Sequence, residues 1–431
     1  MNWKKKGRVL GVALLSVSLG ACDILTVNDP GRYTGPDLDD ALQAVADGVE
    51  GRSQLYVQYF AAYTALLGDE YQHTGTWSGF DALDHGNFLK EWYGFFADYH
   101  TSNRVFSEQS WERFERVLGA AEAASSTVGA QVKLARATYT LLSVWHNCEA
   151  VAEPAPSPSL SDTEIRKIAA QRFSDAIDVA QAAGASFHGN AARAGKAIAL
   201  YLTGDYAGAV AEAAQVPDGY VYGQIFNQVY RNYVVVVTTK GHNEAAGLMY
   251  WLWPRIDKTE DTHTYIRDWA TNEHDMRMPA WFDGEIATDN ITPHYSQYKY
   301  DTDMTLIPMY HSDHMKLIEA EAMVMNGDYA GATAVLNGLR AAVGLAALEV
   351  PDNEEMMMEA LLNERFAELF MEGYRATDLH RFGLVRERFD SFNDPERPGE
   401  GRPTKFAGSN RETRYNDMIE DDDALRCWPQ S

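Results

Sequence analysis

The chain has 431 residues, of which 45% are hydrophobic and 12% aromatic, so it can bury a large core in one domain or two. It carries 62 acidic and 37 basic side chains, which gives a formal net charge of −25. This excess of negative charge disfavours nucleic-acid binding and a basic surface for anionic lipids, because both depend on clustered cations.

The N-terminus has the features of an export signal in their usual order. A basic segment, residues 4–8, precedes an apolar run, residues 9–19, that is too short to span a bilayer comfortably. A pair of small residues then precedes Cys22, as in a bacterial lipoprotein signal, in which residues 1–21 are removed and the cysteine thiol takes a diacylglycerol. We therefore expect an exported protein attached to a membrane through lipid on Cys22. The alternative is an ordinary secretory peptide that leaves Cys22 as a plain thiol.

Helical sequence dominates the first half of the mature chain. Residues 69–88 interrupt it with a polar and aromatic segment that lacks helical periodicity. A helical pair is predicted further on, at residues 131–147 and 161–183. The connector between these helices carries prolines spaced over residues 154–158, which exclude helix there.

Besides Cys22 the chain has two cysteines, Cys148 and Cys427. In the oxidising compartment that an export signal implies, these two can pair as a disulfide. Such a bond would tie the C-terminal tail to an early helix. The alternative, that both are free buried thiols, stays open.

The hexapeptide GDYAGA occurs twice, at residues 204–209 and 327–332, and each copy lies between stretches with helical periodicity. Gly204 and Gly327 are placed where a helix ends and the backbone takes φ > 0, and the aspartate after each is placed to cap the next helix. The pattern resembles the turn of a tetratricopeptide helical hairpin. Repeats of that kind recur at about 34 residues, so the wider spacing here predicts a helical scaffold that is interrupted between the copies.

The interruption is predicted at residues 217–308. Aromatic and β-branched runs such as NYVVVVTT, GLMYWLWP and YSQYKYD alternate there with polar turns, which favours strands or ordered loops. Trp251 and Trp253 alternate as in a strand with one buried face, and Trp281 is predicted to lie in the core. The predicted divisions of the mature chain, residues 22–431, are a helical scaffold (38–216 and 309–385), an insertion (217–308) and an irregular tail (386–431).

A regular helix is predicted near the C-terminus. Asp352 and Glu355 fit a capping box, and apolar residues then recur at helical spacing over residues 358–370. Charged residues of both signs fill the remaining positions and continue beyond the helix: Glu364, Arg365, Glu368, Glu372, Arg375, Asp378 and Arg381. The carboxylates could form an acid–base site, but alternating charges more often form ion pairs that attach a helix to the loop after it. We interpret them as such an ion-pair lattice.

This C-terminal segment resembles a known family. Residues 361–383, LLNERFAELFMEGYRATDLHRFG, are similar to the signature of SusD/RagB-like outer-membrane lipoproteins, a helix of the type ERRxELxxEGxRxxDLxRxG, with Phe366 in place of a usual basic residue. The tail departs from the family, because it lacks the proline- and asparagine-rich ending of many members, and a disulfide could substitute for its docking. Further matches to family segments are Glu321, Asn337, Arg340, Gly344, Asp275-Met276-Arg277, Lys299-Tyr300 and residues 22–30.

The resemblance implies a mainly α fold, in which tetratricopeptide-like hairpins are interrupted by a loop- and strand-containing insertion that forms the ligand face. It also implies a lipoprotein on the outer membrane, facing the cell exterior, that captures a nutrient and delivers it to a SusC-like TonB-dependent transporter. The nutrient is most often an oligosaccharide, although aromatic loops serve peptides as well. Such a protein is not an enzyme and uses no cofactor.

Sugars have apolar faces that stack on aromatic rings and hydroxyl groups that bind polar side chains, so we expect both kinds of residue on the ligand face. Residues 69–88 and the insertion supply both aromatic and polar residues, in segments that need few apolar side chains for their own packing. The alternative for each ring is that it packs over its own loop. The predicted ligand contacts are Tyr71, His73, Trp77, Asp81, Tyr265 and Trp269.

Two other functions fit parts of the sequence. One is a helical-repeat envelope lipoprotein that binds proteins as an assembly factor, although such a protein should show tandem repeats near the usual period of about 34 residues. The other is a glycan hydrolase with paired carboxylates such as Asp81 and Asp84. No metal site is predicted, because the histidines lack zinc-ligand spacing and the acidic run at residues 420–423 lacks the pattern of a calcium loop.

Overall fold

The computed structural model describes residues 38–84, 91–145, 147, 149–153, 156–224, 226, 231–238, 245–258, 263–385 and 418. The chain divides into two units, residues 1–42 and residues 43–431. The described part of the first unit is short, and residues 38–39 in it are helical. The second unit holds the remaining described helices and all of the described strands.

Successive helices pack against one another, as in a helical solenoid: Glu91–Leu118 on Thr127–Leu142, Thr127–Leu142 on Asp162–Ala182, Asp162–Ala182 on Ser186–Tyr201, and Ser186–Tyr201 on Tyr206–Ala213. Among the described residues, no helix is both long and apolar enough to cross a membrane. A 3₁₀ helix also occurs, at Tyr250–Arg255. The α-helices are α1 (Leu42–Leu67), α2 (Ser78–Asp84), α3 (Glu91–Leu118), α4 (Ala120–Ala123), α5 (Thr127–Leu142), α6 (Asp162–Ala182), α7 (Ser186–Tyr201), α8 (Tyr206–Ala213), α9 (Tyr233–Thr238), α10 (Ser312–Met325), α11 (Tyr329–Ala342), α12 (Glu354–Glu368) and α13 (Arg375–Arg381).

Each copy of the hexapeptide forms the turn of a helical hairpin, α7–α8 in the first case and α10–α11 in the second. The φ angles of Gly204 and Gly327 are 84° and 76°, a conformation that a residue with a Cβ adopts only under strain. In both copies the aspartate that follows accepts a hydrogen bond from the amide of the hexapeptide's second glycine, at 2.9 Å. The predicted turns and helix caps are therefore confirmed.

The two hairpins are neighbours in space although the insertion separates them in sequence. Helix α10 packs against α8 as well as against α11. The Tyr206 hydroxyl, in the first hexapeptide, donates a hydrogen bond to Glu321 of α10 at 3.0 Å. The stack of helices therefore continues across the insertion, and the predicted fold class, an interrupted helical scaffold, is confirmed.

The described strands form three antiparallel pairs, β1–β5, β2–β3 and β4–β9, and one antiparallel sheet in the order β6–β7–β8. All pairs except β2–β3 involve the insertion. The strands are β1 (Tyr71–His73), β2 (Glu149–Val151), β3 (Ser159–Ser161), β4 (Val221–Gln224), β5 (Ala246–Leu248), β6 (Thr264–Arg267), β7 (His274–Ile286), β8 (Pro293–Gln297) and β9 (Ile307–His311).

The first and last strands of the insertion pair with each other. Val221 of β4 lies opposite His311 of β9, and Gln224 lies opposite Ile307. Helix α10 begins immediately after β9, at Ser312. The chain therefore leaves the helical stack and rejoins it at adjacent points.

One run for which we predicted a strand or ordered loop, YVVVVT, is helix α9. Asn232, which is fully buried, precedes this helix, and its side-chain oxygen accepts hydrogen bonds from the amides of Val234 and Val235 at 3.0 and 3.4 Å. This cap satisfies amides that a helix leaves unpaired at its start. The tertiary setting therefore outweighs the strand preference of four consecutive valines.

Trp251 and Trp253 lie in the 3₁₀ helix and not in a strand, so that prediction was also wrong. Both rings are half-buried against the core. Their indole nitrogens donate to backbone carbonyls, that of Trp251 to Asp69 at 2.6 Å and that of Trp253 to Leu248 at 2.8 Å. These bonds fix the 3₁₀ helix to the neighbouring segments.

Helix α12 begins with a different cap from the one predicted. The N-cap is Asn353, whose side chain accepts a hydrogen bond from the Met356 amide at 3.0 Å, and not Asp352 acting with Glu355. Asparagine and aspartate are equally good caps, so the predicted capping box was wrong because the neighbouring Asn353, which we did not consider, serves as well.

Candidate ligand-binding surface

The charged residues of α12 form a buried ion-pair lattice. Glu364 is fully buried and accepts hydrogen bonds from Arg340 of α11 at 2.5 Å and from Arg277 of β7 at 2.8 Å. Arg340 also pairs with Asp268, at 2.9 Å, in the turn that follows β6. A charge removed from water is tolerated only when it is paired, so this network fixes α11, α12 and the insertion against one another.

A second part of the lattice attaches α12 to α13 and α10. Arg365 binds both oxygens of Asp378, at 2.8 and 2.9 Å. Arg381 contacts Asp378 at 3.3 Å and also pairs with Glu321 of α10. The interpretation of these residues as an ion-pair lattice is therefore confirmed, and the lattice reaches beyond the loop after the helix.

Lys299, Glu372 and His311 form a further ionic contact between the insertion and the scaffold. Glu372 accepts hydrogen bonds from Lys299 at 2.8 Å and from His311 at 2.9 Å. Burial by itself would raise the pKa of Glu372, but Lys299 and His311 outweigh it and the pKa is lowered. Burial would lower the pKa of His311, but the Glu372 carboxylate outweighs it and the pKa is raised. Both shifts favour the charged forms, as expected for an ion pair.

The segment after α1 begins at two buried acidic residues, Asp69 and Glu70. We predicted residues 69–88 as non-helical, but Ser78–Asp84 form helix α2, so that part of the prediction was wrong. Asp69 binds the Arg375 guanidinium at 2.5 and 2.8 Å. Glu70 accepts a hydrogen bond from the Met371 amide at 2.7 Å through its side chain, and from the Met249 amide at 3.0 Å through its backbone carbonyl. The base of this segment is thus fixed both to the turn after α12 and to the insertion.

The structure places the four predicted ligand contacts of this segment in different settings. Tyr71 is completely buried, because β1 pairs with β5 and its ring packs into the core, so it does not present itself to a ligand. His73 and Asp81 lie 3.7 Å apart, with side chains 15% and 47% exposed. Trp77 is half-buried and packs edge-on against Phe80, with 5.6 Å between ring centroids.

The insertion meets this segment beside His73. The amide of Asp289, in the loop between β7 and β8, donates a hydrogen bond to the Thr74 carbonyl at 2.9 Å. The Asp289 carboxylate also interacts electrostatically with His73. The structure therefore brings together His73, Asp81 and a loop of the insertion, although they are distant in sequence.

One face of the β6–β7–β8 sheet carries a row of aromatic side chains. Tyr265 of β6 lies opposite Pro279 of β7, two residues before Trp281, so Tyr265 and Trp281 point to the same side. His263 stacks on Tyr298, with centroids 3.6 Å apart and planes 18° apart, and meets Trp281 at 5.0 Å. His263 is exposed and the other three are half-buried. We call His263, Tyr265, Trp281 and Tyr298 the aromatic face.

The opposite side of this sheet packs into the core. Ile266, Met278, Ala280 and Tyr295 are at most 2% exposed. Trp281, which we predicted as a core residue, is half-buried: its ring meets His263, while its indole nitrogen is buried without a hydrogen-bond partner among the described residues. Because successive side chains of a strand alternate between faces, the pairing of the strands decides which ring is buried, and sequence alone does not supply that pairing. His263, Trp281 and Tyr298 were missed for this reason.

The two predicted contacts of the insertion also differ in their settings. Tyr265 belongs to the aromatic face, with its ring 6.1 Å from that of His274. Trp269 is half-buried against the core, and its indole nitrogen donates a hydrogen bond to Glu364 at 3.0 Å. The polar edge of Trp269 is thus part of the ion-pair lattice.

Cys22, Cys148, Cys427 and nearly all of the tail lie outside the described residues. Lipidation of Cys22 and a disulfide between Cys148 and Cys427 therefore stay predictions. Over the part of the chain that the structure describes, no group of three or more His, Cys, Asp or Glu side chains is arranged to hold a metal ion.

Comparison with known proteins gives a family and several solved structures. A family model described as the SusD family matches residues 196–429. A SusD superfamily protein from Bacteroides thetaiotaomicron is 15% identical with a TM-score of 0.67, over 90% of this chain and 98% of that one. A SusD superfamily protein from Bacteroides vulgatus is 14% identical with a TM-score of 0.65, over 88% and 97%. Surface glycan-binding protein A from Bacteroides uniformis is 13% identical with a TM-score of 0.60, over 90% and 99%.

No curated protein matches the sequence. The family model covers more than half of the chain, including α12, the insertion strands β6 to β8 and both parts of the ion-pair lattice. The solved structures share the fold over most of their own length. The chain belongs to the SusD family.

Proposed function

We propose that this protein is an outer-membrane lipoprotein, anchored through Cys22 and facing the cell exterior, that captures an oligosaccharide and delivers it to a SusC-like TonB-dependent transporter. Membership of the SusD family supports this role. One of the similar structures, from Bacteroides uniformis, is named a surface glycan-binding protein. The single observation that carries the proposal is the aromatic face on the β6–β7–β8 sheet.

The aromatic face has the chemistry that sugars require. The apolar faces of pyranose rings stack on Tyr and Trp, while the polar edges of these side chains bind hydroxyl groups. We propose Tyr265, Trp281 and Tyr298 as stacking contacts. A second set of contacts, on the segment after α1, comprises His73, Trp77 and Asp81. Tyr71 and Trp269 are left out of the proposal, since the first is buried and the second is bonded to Glu364.

We propose capture without cleavage of the sugar chain. The hydrolase alternative used Asp81 and Asp84, and the Asp84 carboxylate accepts a hydrogen bond from the His73 backbone amide at 2.9 Å. This hydrogen bond is what we expect of a carboxylate that stabilises the conformation of the loop and does not act on a substrate. Mass spectrometry of an oligosaccharide after incubation with the purified protein should find its length unchanged, and shortened products would favour the hydrolase.

Binding is tested by isothermal titration of the purified mature chain with a panel of oligosaccharides. We expect at least one of them to bind, and Trp281→Ala and Tyr298→Ala to weaken it about tenfold, because a stacked aromatic ring contributes about 0.5–1.5 kcal/mol beyond its buried area. The matched control is Phe187→Ala, since Phe187 is 51% exposed on α7 of the scaffold. An equal loss in the control, or no binding by any oligosaccharide, would contradict the proposal.

Delivery is tested by isolating the tagged protein from membranes in mild detergent. We expect a large transporter barrel to accompany it in near-stoichiometric amounts. Recovery of periplasmic assembly proteins without a barrel would favour the assembly-factor alternative.

A further inference from the structure

Four of the basic groups beside the aromatic face contact carboxylates. Arg267, two residues after Tyr265 on β6, binds both oxygens of Asp257 at 2.7 and 2.9 Å. The same carboxylate lies 2.6 Å from the His274 ring nitrogen. The Asp257 carboxylate therefore balances the charge of Arg267 and also contacts His274.

The cations on β7 and after β8 are engaged in the same way. Arg277 pairs with Asp275 at 2.7 Å and with Glu364 at 2.8 Å. Lys299, next to Tyr298, pairs with Glu372 at 2.8 Å. Arg277 belongs to the ion-pair lattice, and Lys299 belongs to the contact with Glu372 and His311. A ligand could pair with either cation only by breaking the attachment of the insertion to the scaffold.

Two more basic residues precede β6. The Arg255 guanidinium donates to the Arg267 backbone carbonyl at 2.9 Å. Lys258 lies over the Phe282 ring at 5.9 Å, and Phe282, as the residue after Trp281, points to the opposite side of the sheet. Over the described part of the β6–β7–β8 sheet and the segments that border it, the Asp268 and Asp275 carboxylates offset the charge of Arg255, and Lys258 lies toward the side opposite the aromatic face.

From this arrangement we infer that the aromatic face selects uncharged saccharides over carboxylated or sulfated ones, an inference that rests on the proposed function and narrows its ligand class. An uncharged pyranose needs only stacking rings and hydrogen-bonding groups. An acidic sugar brings a charge that loses water beside the Asp257 carboxylate, and no lysine or arginine on the described part of that side of the sheet is left unpaired to receive it. The basic side chain within the aromatic face, His263, is engaged in stacking on Tyr298. The net charge of −25 adds a repulsive field over the whole molecule.

The experiment compares polysaccharides in matched pairs by affinity electrophoresis and isothermal titration of the purified mature chain. Each pair has one backbone in an uncharged and an acidic form: xylan and glucuronoxylan, methyl-esterified and free oligogalacturonate, galactan and sulfated galactan. We expect an uncharged member to bind and its acidic partner to bind about tenfold more weakly, because uncompensated like charges oppose association. An acidic member that binds as tightly as its uncharged partner would overturn the inference and leave glycan capture intact. No binding by any member would contradict the proposed function itself.

A charge variant separates electrostatic exclusion from a poor steric fit. Asp257→Asn frees the Arg267 guanidinium, so affinity for the acidic member should rise by about threefold, a change in the range of a partly exposed ion pair, while affinity for the uncharged member stays constant. Asp313→Asn is the control, because it removes a carboxylate that pairs with Lys316 at 3.0 Å on the scaffold. If Asp257→Asn binds the acidic polysaccharide no more tightly than the unmodified protein does, the pairing of Arg267 with Asp257 is not what excludes that polysaccharide. This result would overturn the inference.

Discussion

Glu70 is a carboxyl group in a place that water does not reach. It is 1% exposed, one of its side-chain oxygens accepts the Met371 amide at 2.7 Å, and the other has no hydrogen-bond partner among the described residues. Burial, reinforced by the Asp69 charge, raises the pKa of Glu70 to about 8, although the Met371 amide and Arg375 oppose it. The folded protein therefore holds this residue protonated at neutral pH.

A pH dependence of stability follows from the raised pKa. Between the ordinary pKa of 4.5 and the folded pKa of about 8, the folded state binds a proton that the unfolded state has released. The contribution of Glu70 to stability is therefore complete below pH 4.5 and is lost as the pH rises toward 8. Glutamine mimics the neutral acid and keeps an oxygen for the Met371 amide. We expect Glu70→Gln to reduce the fall in the free energy of unfolding between pH 5.5 and 8.

Urea denaturation at the two pH values measures this effect. The control is Glu359→Gln, which neutralises an exposed carboxylate on α12 and should leave the pH dependence as it is in the unmodified protein. If the free energy of unfolding falls between pH 5.5 and 8 by the same amount in Glu70→Gln as in the unmodified protein, the pKa of Glu70 is not raised in the folded state.

At the scale of secondary-structure elements, the two hexapeptides show how a short sequence specifies a hairpin turn. The Gly that ends one helix, the Asp that caps the next and the second Gly whose amide binds the cap act within six residues. A Cβ at the second glycine of either copy would lie no more than 2.5 Å from the capping carboxylate. All of these requirements are local, so the sequence predicts the turn without knowledge of the rest of the fold.

Removal of a cap should destabilise the protein. We expect Asp205→Ala and Asp328→Ala each to lower the free energy of unfolding by about 1 kcal/mol, the usual contribution of an N-cap side chain. Asp205→Asn and Asp328→Asn keep an oxygen that accepts the same amide and should be close to neutral. Guanidinium denaturation of the four variants checks this, and asparagine variants as unstable as the alanine ones would mean that the cap is not the source of stability.

The elements that the sequence did not predict depend on distant residues. The run that forms helix α9 was predicted as a strand or ordered loop, yet Asn232 caps a helix there. The Asn232 backbone and side-chain amides donate in turn to the carbonyls of Asp303 and Thr305. Trp281 was assigned to the core because it lies in a periodic, motif-linked context, yet the pairing of β7 with β6 and β8 leaves its ring half-buried beside His263. Tyr265 was predicted as a contact from its segment alone. The composition of a segment thus indicates a candidate binding region, and strand pairing selects which of its side chains lie together.

At the scale of the whole molecule, the ion-pair lattice joins the insertion to the scaffold. Arg277 from the insertion reaches Glu364 at the centre of α12, and both side chains are almost completely buried. The family signature supplies Glu364, so residues that identify the family also hold the insertion in place. The charges of the motif are accounted for by these structural ion pairs.

A double-mutant cycle tests the strength of this attachment. Arg277→Met and Glu364→Gln should each lower the free energy of unfolding by about 3–5 kcal/mol, because each leaves a buried partner charge uncompensated. The double variant should lose clearly less than the sum of the two. The surface pair Asp313–Lys316 is the control, and its variants should cost about 0–1 kcal/mol. Additive losses at Arg277 and Glu364 would show that the two residues act independently, in contradiction to the lattice.

The pairing of β4 with β9 has a consequence for how such proteins diversify. Because both ends of the insertion are held in one antiparallel ladder, its length and internal structure can change without moving α8 relative to α10. Among the described residues of the insertion, Asp268, Arg277 and Lys299 form ion pairs with the C-terminal half, and the Trp269 indole and the Tyr300 hydroxyl donate hydrogen bonds to Glu364 and Met371. A segment transplanted from a relative between the paired strands, with these residues retained, would keep the attachment of the insertion to the scaffold. On the proposed function, such an exchange of the insertion would change the ligand without rebuilding the helical stack.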